Sequence, residues 1–394
     1  MYLKANNSRW SASQGLGRST GRFGRTALTL FCLGLSATFG FGGCQSAPPP
    51  AAVTPVATTS SGPANSAGTS AATPAKIMTP EPFDGERAYD ILKKQCDFGV
   101  RPLGTEAHEK TKDYLIAEMQ KYADSTMTQK FTYHGLPVTN VIGIFNPAGS
   151  DKPSAHPILL MAHWDTRPIA DGPYSDKRDL GYKYGPTGWN RTAPIMGAND
   201  AGSGVAVLLE MARLFKAHKP AVGVVILLDD GEDYGDFLAD GGKGDGIELG
   251  SRYFAKHFKE TPAFGTPFYG ILLDMVGGKG AVFPREQQSY NAAPDICEKI
   301  YGTAKELKYE HVFQWDRDQD INDDHIALIA EHIKMVDLIH PLPHGGNDLN
   351  DVDAYRYWHT QQDTADKCSA KTLKIVGEVV TEVLYRETAV PVSK

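Results

Sequence analysis

Three uninterrupted apolar runs constrain the fold of this chain more than any other feature of its sequence. They occupy residues 157–162, 222–228 and 269–273, and each has the length of a strand buried on both faces. Stretches with helical periodicity lie between them, at 203–217 and 249–258. Buried strands that alternate with helices form parallel or mixed sheets covered by helices. The pattern therefore predicts an α/β fold with a mixed, mostly parallel central β-sheet sandwiched by helices.

The remaining periodic segments continue this alternation. Strands are predicted at 125–133, 138–145 and 335–339, and helices at 84–98, 105–122, 293–308 and 370–386. A hydrophobic content of 41% excludes a disordered chain and supplies enough apolar surface for a core. No internal repeat is visible, so we expect a single domain spanning 81–394.

Charge is distributed unevenly along the chain. Residues 1–80 contain six basic and no acidic residues, which leaves 34 basic and 47 acidic residues in 81–394 and a net charge of −13 there. A nucleic-acid-binding domain needs a basic face for phosphate contacts, and this balance is the opposite. We therefore expect no nucleic-acid partner.

The first 43 residues are typical of an export signal, with a basic start followed by the uncharged, mostly apolar stretch 26–43. The sequence Phe41-Gly42-Gly43-Cys44 resembles a bacterial lipobox, which implies lipidation of Cys44. Gln45 follows it instead of the Asp that would imply inner-membrane retention. We expect an exported protein, lipid-anchored at the periplasmic face of the outer membrane. A retained signal-anchor helix is the alternative, because the apolar run is marginally long enough to span a bilayer.

Residues 44–80 are predicted to form a flexible tether. Ala, Pro, Ser, Thr and Gly supply 29 of the 36 residues in 45–80, a composition that cannot bury enough apolar area to fold. The cysteines outside the signal, Cys96, Cys297 and Cys368, are odd in number and widely spaced. They form no metal-binding motif, and a disulfide between any two of them stays open.

Imidazole and carboxylate side chains follow the predicted strands at the points where the strands end. Ligands of open α/β sheets bind at the carboxyl ends of the strands, so these side chains are expected to converge. An N/O donor set without thiolates suits zinc or a similar divalent ion, and clustered carboxylates need a cation. Taken singly, an Asp at such a position is more often a helix cap or turn residue. The candidates are His163, Asp165, Asp200, Glu232, Asp233, Asp274, Asp323, His325, Trp358 and His359.

Local spacing indicates different roles for neighbouring candidates. A strand period of two places His163 and Asp165 on one side, so Asp165 can accept a hydrogen bond from the imidazole and fix its orientation. Glu232 and Asp233 are adjacent, so one can ligate a metal while the other transfers protons.

Taken together, these motifs resemble the zinc aminopeptidase and glutaminyl cyclase superfamily over about residues 85–390. The resemblance rests on the following segments: Arg101-Pro102-Leu103-Gly104-Thr105, His163-Trp164-Asp165, 197–204, Asp230-Gly231-Glu232-Asp233, Leu249-Gly250-Ser251, Leu273-Asp274-Met275 and Trp358-His359-Thr360. For a two-zinc aminopeptidase it implies ligands at His163, Asp200, Asp233, Asp274 and His359, with Glu232 as general base. For a cyclase it implies one zinc at Asp200, Asp233 and His359. Asp233 stands where both groups usually have Glu.

Further segments resemble the cyclases, and their bacterial members in particular. Asn322-Asp323-Asp324-His325 is similar to a cyclase segment whose first Asp joins a hydrogen-bond network with Asp274 and whose His lines the substrate pocket. Trp358 before His359 also follows the cyclase pattern, as an aromatic pocket wall. A solvated helix start is the alternative for 322–325.

The resemblance implies a glutaminyl-peptide cyclotransferase that converts amino-terminal Gln of peptides or proteins to pyroglutamate and releases ammonia. Glu232 would carry the proton from the α-amine to the leaving ammonia, with Asp274 and Asp323 holding it in position. A two-zinc aminopeptidase is the alternative enzyme, and a catalytically silent surface-binding protein is the third class. A monomer is favoured, although the sequence does not determine the oligomeric state.

Overall fold

The computed structural model describes residues 77–172, 193–235, 246–340 and 356–388. The predicted export signal, Cys44 and nearly all of the predicted tether lie outside these residues, so the domain boundaries there stay predictions. Residues 77–80 already contact the fold, because the backbone amides of Met78 and Thr79 donate to the Glu382 carboxylate. Among the described residues, no helix is both long and apolar enough to cross a bilayer.

A six-stranded mixed sheet forms the centre of the fold. Its strands are β1 Ser125–Tyr133, β2 Leu136–Phe145, β3 Ile158–His163, β4 Val224–Asp229, β5 Tyr269–Asp274 and β8 Met335–Ile339. They lie in the order β1-β2-β4-β3-β5-β8. Hairpin strands β1 and β2 pair antiparallel with each other, and β2 pairs antiparallel with β4. The other neighbours are parallel: β4 with β3, β3 with β5, and β5 with β8. The predicted fold class is confirmed.

A second, two-stranded sheet was not predicted from the sequence. It pairs β6 (Phe283–Glu286) and β7 (Phe313–Gln319) in parallel. The sequence signal was weak because β6 has only four residues, one of them Pro284, and β7 is rich in charged and polar residues.

Helices cover both faces of the central sheet. They are α1 Gly85–Asp97, α2 Glu106–Tyr122, α3 Gly202–Ala217, α4 Leu249–His257, α5 Gln287–Ala292, α6 Pro294–Glu306, α7 His325–Ala330 and α8 Ala370–Arg386. Successive residues of β3 enter opposite core clusters: Ile158, Leu160 and Ala162 face α1, α2, α3, α6 and α8, while Leu159 and Met161 face α4 and α7. This period of two explains why the strand is apolar throughout.

Helix α3 approaches the sheet closely at Gly204. A Cβ atom there would lie 2.0 Å from the Leu273 carbonyl oxygen and 2.9 Å from the Ala162 Cβ. Only glycine permits this contact, which brings the start of α3 against the ends of β3 and β5. Asp200, two residues before α3, is thereby held beside the last residues of those strands.

Candidate metal centre

Five segments converge at the carboxyl edge of the parallel strands. His163 is the last residue of β3, and Asp274 is the last residue of β5. Glu232 and Asp233 follow β4, and Asp200 precedes α3. His359 completes the cluster from the segment before α8. The convergence expected from the strand-end pattern is present.

The clustered side chains form two groups with metal-binding geometry. One consists of His163, Asp200 and Asp274, and the other of Asp200, Asp233 and His359; within each, the potential ligand atoms lie within 4.8 Å of one another. His163 Nε2 is 3.2 Å from Asp200 Oδ1 and 3.4 Å from Asp274 Oδ1. His359 Nε2 is 3.5 Å from Asp200 Oδ2 and 3.3 Å from Asp233 Oδ1. Asp200 therefore offers one oxygen to each group.

The chemistry of these groups fits a zinc ion. Two imidazoles and three carboxylates without a thiolate form an N/O donor set that zinc accepts. Among the described residues, His163 Nε2, Asp233 Oδ2 and Asp274 Oδ1 are buried and make no hydrogen bond. Buried polar atoms without a partner are costly. A cation at the first group would satisfy His163 Nε2 and Asp274 Oδ1, and one at the second would satisfy Asp233 Oδ2.

Asp165 lies where the sequence pattern placed it, behind His163. Its Oδ1 is 3.4 Å from His163 Nδ1 and also accepts a hydrogen bond from the Glu232 amide at 3.0 Å. Its Oδ2 accepts from the Asp233 amide at 3.3 Å. One fully buried carboxylate therefore orients the imidazole and fixes the backbone of both acidic residues after β4.

Arg167 and Asp171 are buried residues in contact with the candidate ligands, and sequence reasoning did not identify them. Arg167 donates to Asp171 Oδ1 through Nε at 2.6 Å and to Asp233 Oδ1 through Nη1 at 2.9 Å. Asp171 Oδ1 also lies 3.2 Å from His359 Nδ1. The spacing of four residues between Arg167 and Asp171 was the only sequence signal, and that signal is common on protein surfaces.

The loop that carries Asp200 is held by two further buried polar side chains, Arg101 and Asp363. Arg101 donates to the carbonyl oxygens of Met196 and Gly197. Asp363 accepts hydrogen bonds from the backbone amides of Asn199 at 2.9 Å and Asp200 at 3.1 Å. Burial and the nearby Asp200 carboxylate raise the pKa of Asp363 to about 8. Nothing in the sequence singles out Asp363, because its partners are backbone groups distant along the chain.

The Glu232 carboxyl group lies beside the metal-binding groups without belonging to either. Burial raises its pKa well above the usual range, and the carboxylates of Asp233 and Asp323 add to the effect, while His163 opposes it. Burial also raises the pKa of Asp323, and the nearby Asp274 carboxylate contributes. Glu232 therefore lies near Asp323, and Asp323 near Asp274, in a site with little exposed surface. Such perturbed groups are typical of proton-transfer sites.

The two predicted pocket residues occupy different environments. Trp358 is partly exposed, and its ring stacks on that of His359 with centroids 3.8 Å apart. His325 has no exposed surface, and its Nε2 lies 3.3 Å from Glu286 while its Nδ1 lies 3.9 Å from Asp337. An imidazole enclosed by protein carboxylates fits a supporting role better than direct contact with a substrate. The expected role of Trp358 as a pocket wall stays a prediction.

The fold is a mixed β-sheet covered by helices, and two histidines and three carboxylates gather at the carboxyl edge of its parallel strands. This combination is typical of zinc-dependent exopeptidase-like folds. The chain belongs to peptidase family M28, whose family model matches residues 140–384. The resemblance to the zinc aminopeptidase and glutaminyl cyclase superfamily is therefore confirmed.

Solved structures with similar folds include both cyclases and an exopeptidase. The glutaminyl cyclase of Tannerella forsythia is 36% identical, with a TM-score of 0.67 over 78% of this chain and 100% of that one. The glutaminyl cyclase of Bacteroides thetaiotaomicron, solved with bound N-acetylhistamine, is 35% identical, with a TM-score of 0.66 over 79% of this chain and 100% of that one.

A Zn-dependent exopeptidase of Parabacteroides distasonis ATCC 8503 is similar to the same degree. It is 35% identical, with a TM-score of 0.66 over 78% of this chain and 99% of that one. The chain spans less than half the length of the curated relatives it matches, between 20% and 44%. Similarity alone therefore leaves both a cyclase and a peptidase activity open.

Proposed function

We propose that this protein is a zinc-dependent glutaminyl-peptide cyclotransferase. The observation that carries the proposal is the buried Glu232 carboxyl, which lies 3.7 Å from His163 beside the candidate ligands. Asp323 is close enough to act on the pKa of Glu232, and Asp274 is close enough to act on that of Asp323. Asp323 belongs to the segment that resembles the cyclases in sequence, and the action of the Asp274 carboxylate on its pKa supports the hydrogen-bond network that the resemblance implies. The similarity to solved glutaminyl cyclases supports the same choice.

Asp200, Asp233 and His359 are the residues proposed to hold the ion. When bound, zinc supplies Lewis-acid polarisation of the γ-carboxamide of an amino-terminal Gln. The chain around it keeps the site buried, since the exposed fraction of each of these side chains is 5% or less. Burial of the reacting groups strengthens the electrostatic interactions among them.

The bond changes proposed for the reaction balance without added water. The substrate's α-amine nitrogen attacks the carbonyl carbon (Cδ) of the γ-carboxamide, and the bond from that carbon to the amide nitrogen breaks, which releases ammonia and closes the five-membered lactam ring. Glu232 accepts the proton of the attacking amine and donates it to the departing nitrogen. Because amine and amide belong to one residue, correct orientation replaces a bimolecular encounter.

Asp274 and Asp323 are proposed to control the protonation of Glu232. A buried carboxyl near two other carboxyls binds a proton more readily than an isolated one. Glu232 can therefore hold the transferred proton between the attack and the departure of ammonia. Burial raises the pKa of Glu232, which favours retention of the proton that it accepts.

A two-zinc aminopeptidase is the second candidate. The specific observation in its favour is the complete set of five ligand positions, with Asp200 shared between the two groups. In that case Glu232 would activate a water molecule, and the product would be a free amino acid.

One paired assay distinguishes the two activities. Purified zinc-loaded protein is incubated with a peptide that begins with Gln and with a matched peptide that begins with Leu. The cyclase proposal expects ammonia and a pyroglutamyl peptide from the first and no free amino acid from either. Release of free Leu or Gln without pyroglutamate would replace the proposal with the aminopeptidase.

We also propose that Cys44 carries the lipid anchor of the exported protein, as its lipobox-like context suggests. In a bacterial expression host that lipidates exported proteins, the native chain should fractionate with outer membranes, and Cys44→Ser should not. A variant that remains with the membrane would support the retained signal-anchor alternative.

A further inference from the structure

Arg167 and Asp171 connect two of the three candidate ligands in the Asp200–Asp233–His359 group. The Arg167 guanidinium donates to the Asp233 carboxylate, and also to the backbone carbonyls of Asp233 and Gly235 at 3.2 Å. Its other edge donates to Asp171. Both side chains are buried, with exposed fractions of 1% and 4%. The pair is therefore a rigid connection inside the protein.

Asp171 reaches the other ligand, His359. Because Asp171 Oδ1 is an acceptor 3.2 Å from His359 Nδ1, it favours the tautomer with the proton on Nδ1. That tautomer leaves the Nε2 lone pair directed toward Asp200 and Asp233. A backbone hydrogen bond also links the two segments, because the Gly172 amide donates to the His359 carbonyl at 2.8 Å.

A fixed cation at this position changes what Asp233 contributes. A guanidinium stays protonated at any working pH, so Asp233 lies beside a permanent positive charge. Arg167 would repel a metal ion if it were alone, but the Asp171 carboxylate neutralises it. The carboxylate of Asp233 is one methylene shorter than the Glu that the superfamily usually has here, so Arg167 also holds this shorter side chain in place.

In the other candidate group only His163 has such support among the described residues, from Asp165 Oδ1 at 3.4 Å from its Nδ1, and Asp274 has none. Within the part of the chain that the structure describes, the only ion pair of Asp274 is with His163, and its Oδ1 makes no hydrogen bond. Asp274 is instead surrounded by acids, including Asp323. Both groups contain Asp200. The difference between them therefore lies in how the two remaining ligands of each group are held.

We propose that Arg167 and Asp171 are positioning residues that pre-orient Asp233 and His359, and thereby make the Asp200–Asp233–His359 group the tight zinc site of the pair. This inference rests on the metal-binding part of the proposed function and is independent of which reaction the site performs. It assigns roles to two residues outside the ligand set and ranks the two metal-binding groups.

Zinc affinity measured by competition with a chromophoric chelator tests the proposal. Arg167→Met and Asp171→Asn should each weaken binding of the first zinc ion by about 10- to 100-fold, the usual effect of losing a partner of a metal ligand. Arg167→Lys keeps the positive charge but cannot donate to Asp171 and Asp233 in the planar guanidinium geometry. Its zinc affinity should therefore lie between those of the wild type and Arg167→Met. In the cobalt-substituted protein, Asp171→Asn should shift the visible absorption bands, because the bound imidazole changes its hydrogen bond.

Two control variants separate positioning from general destabilisation. Arg87→Met removes an ion pair to the buried Glu210, and neither residue belongs to a ligand group, so this variant should lower the melting temperature without changing zinc affinity. Asp274→Asn should leave the first zinc ion bound as tightly as in the wild type and should weaken only a second equivalent.

Two results would overturn the proposal. One is an Arg167→Met or Asp171→Asn protein that binds the first zinc ion within about twofold of the wild type, well inside the expected loss. The other is an Asp274→Asn protein that loses first-ion affinity as strongly as Arg167→Met. If Arg167→Met does not fold, the isosteric Asp171→Asn decides alone. Because affinity is measured without substrate, a protein that lacked cyclase activity would still give a clear answer.

Discussion

Two carboxylate-rich corners of the site lie at the same edge of the sheet and differ in how their charge is compensated. The first, Asp200–Asp233–His359, is bordered by the buried Arg167–Asp171 pair. The second contains Asp229, Asp323 and Asp324, all buried. Burial raises the pKa of each acid in this second corner, to about 6 for Asp229 and well above the ordinary range for the other two.

The contrast shows that counting acids does not reveal their charge state. Burial acts against ionisation in both corners, but in the first the guanidinium of Arg167 overcomes it and holds the pKa of Asp171 below its usual range. His359 and Arg167 oppose the effect of burial on the pKa of Asp233 without overcoming it, so that this pKa stays raised. In the second corner no guanidinium among the described residues opposes burial, and the pKa of each carboxyl rises. The first corner is therefore suited to holding a cation and the second to holding protons.

The largest effect is expected from Glu232→Gln, which removes the proposed proton carrier and retains the shape of the side chain. Turnover of a Gln-initiated peptide should fall by about 10²–10⁴-fold, the usual contribution of a general base. Zinc content by metal analysis should be unchanged, since Glu232 belongs to neither ligand group. Near-normal turnover would remove Glu232 from its assigned role.

Removal of zinc should have the next largest effect, and it acts on the first corner. A ligand present at about 1,000 times its Kd stabilises the folded state by about 4 kcal/mol, so chelated protein should melt at a lower temperature. Asp200→Ala removes the carboxylate shared by both groups and serves as the control, because its melting temperature should not respond to zinc. An equal response in that variant would place the ion elsewhere.

A pH-dependent effect is expected in the second corner from Asp324→Asn. Asp324 has a raised pKa in the folded protein, so it contributes stability that is fully present below its ordinary value near 4 and is lost as pH rises through the higher folded value. The free energy of unfolding, measured by urea denaturation, should therefore fall more steeply from pH 4 to pH 8 in the wild type than in the variant. The difference is at most about 1.4 kcal/mol per pH unit for one proton.

Asp324→Asn is a conservative test of this titration because it keeps the local hydrogen bond. The Ser251 hydroxyl donates to Asp324 Oδ1, and the amide oxygen of the substituted side chain can accept the same bond. Only the titrating proton is removed. Identical pH dependence in the two proteins would show that Asp324 does not titrate on unfolding.

The smallest effect is expected from an exposed ion pair. Its contribution to the free energy of unfolding provides a reference for the contributions of the buried pairs. Lys334 Nζ lies 2.8 Å from Asp295, and both side chains are largely exposed. Lys334→Ala should change the free energy of unfolding by about 1 kcal/mol at most. A loss comparable to that of a buried pair would mean that solvent exposure is a poor guide to the strength of ion pairs in this protein.

Much of the fold and the candidate site could be predicted because both depend on local patterns. Buried strands are continuous apolar runs, and the residues after them, such as His163, Glu232 and Asp274, meet wherever parallel strands share an edge. The prediction of Asp165 behind His163 required only the period of a strand.

The missed residues depend on contacts between segments distant in sequence. Arg167 meets Asp233 across 66 residues, and Asp363 supports Asp200 across 163. The environment of His325 depends on Glu286 and Asp337, which belong to other elements of the fold. A single sequence does not indicate which buried charge will face which partner.

Asp200 gives one carboxylate oxygen to each metal-binding group, and this sharing links their occupancies thermodynamically. An ion bound at one group changes the free energy of binding at the other, and the reverse effect must be equal in size. Neither affinity is therefore a property of three ligands alone. A substitution remote from Asp200 can alter this coupling free energy while every ligand stays in place. Such a change alone can convert a protein that binds one ion into a protein that binds two.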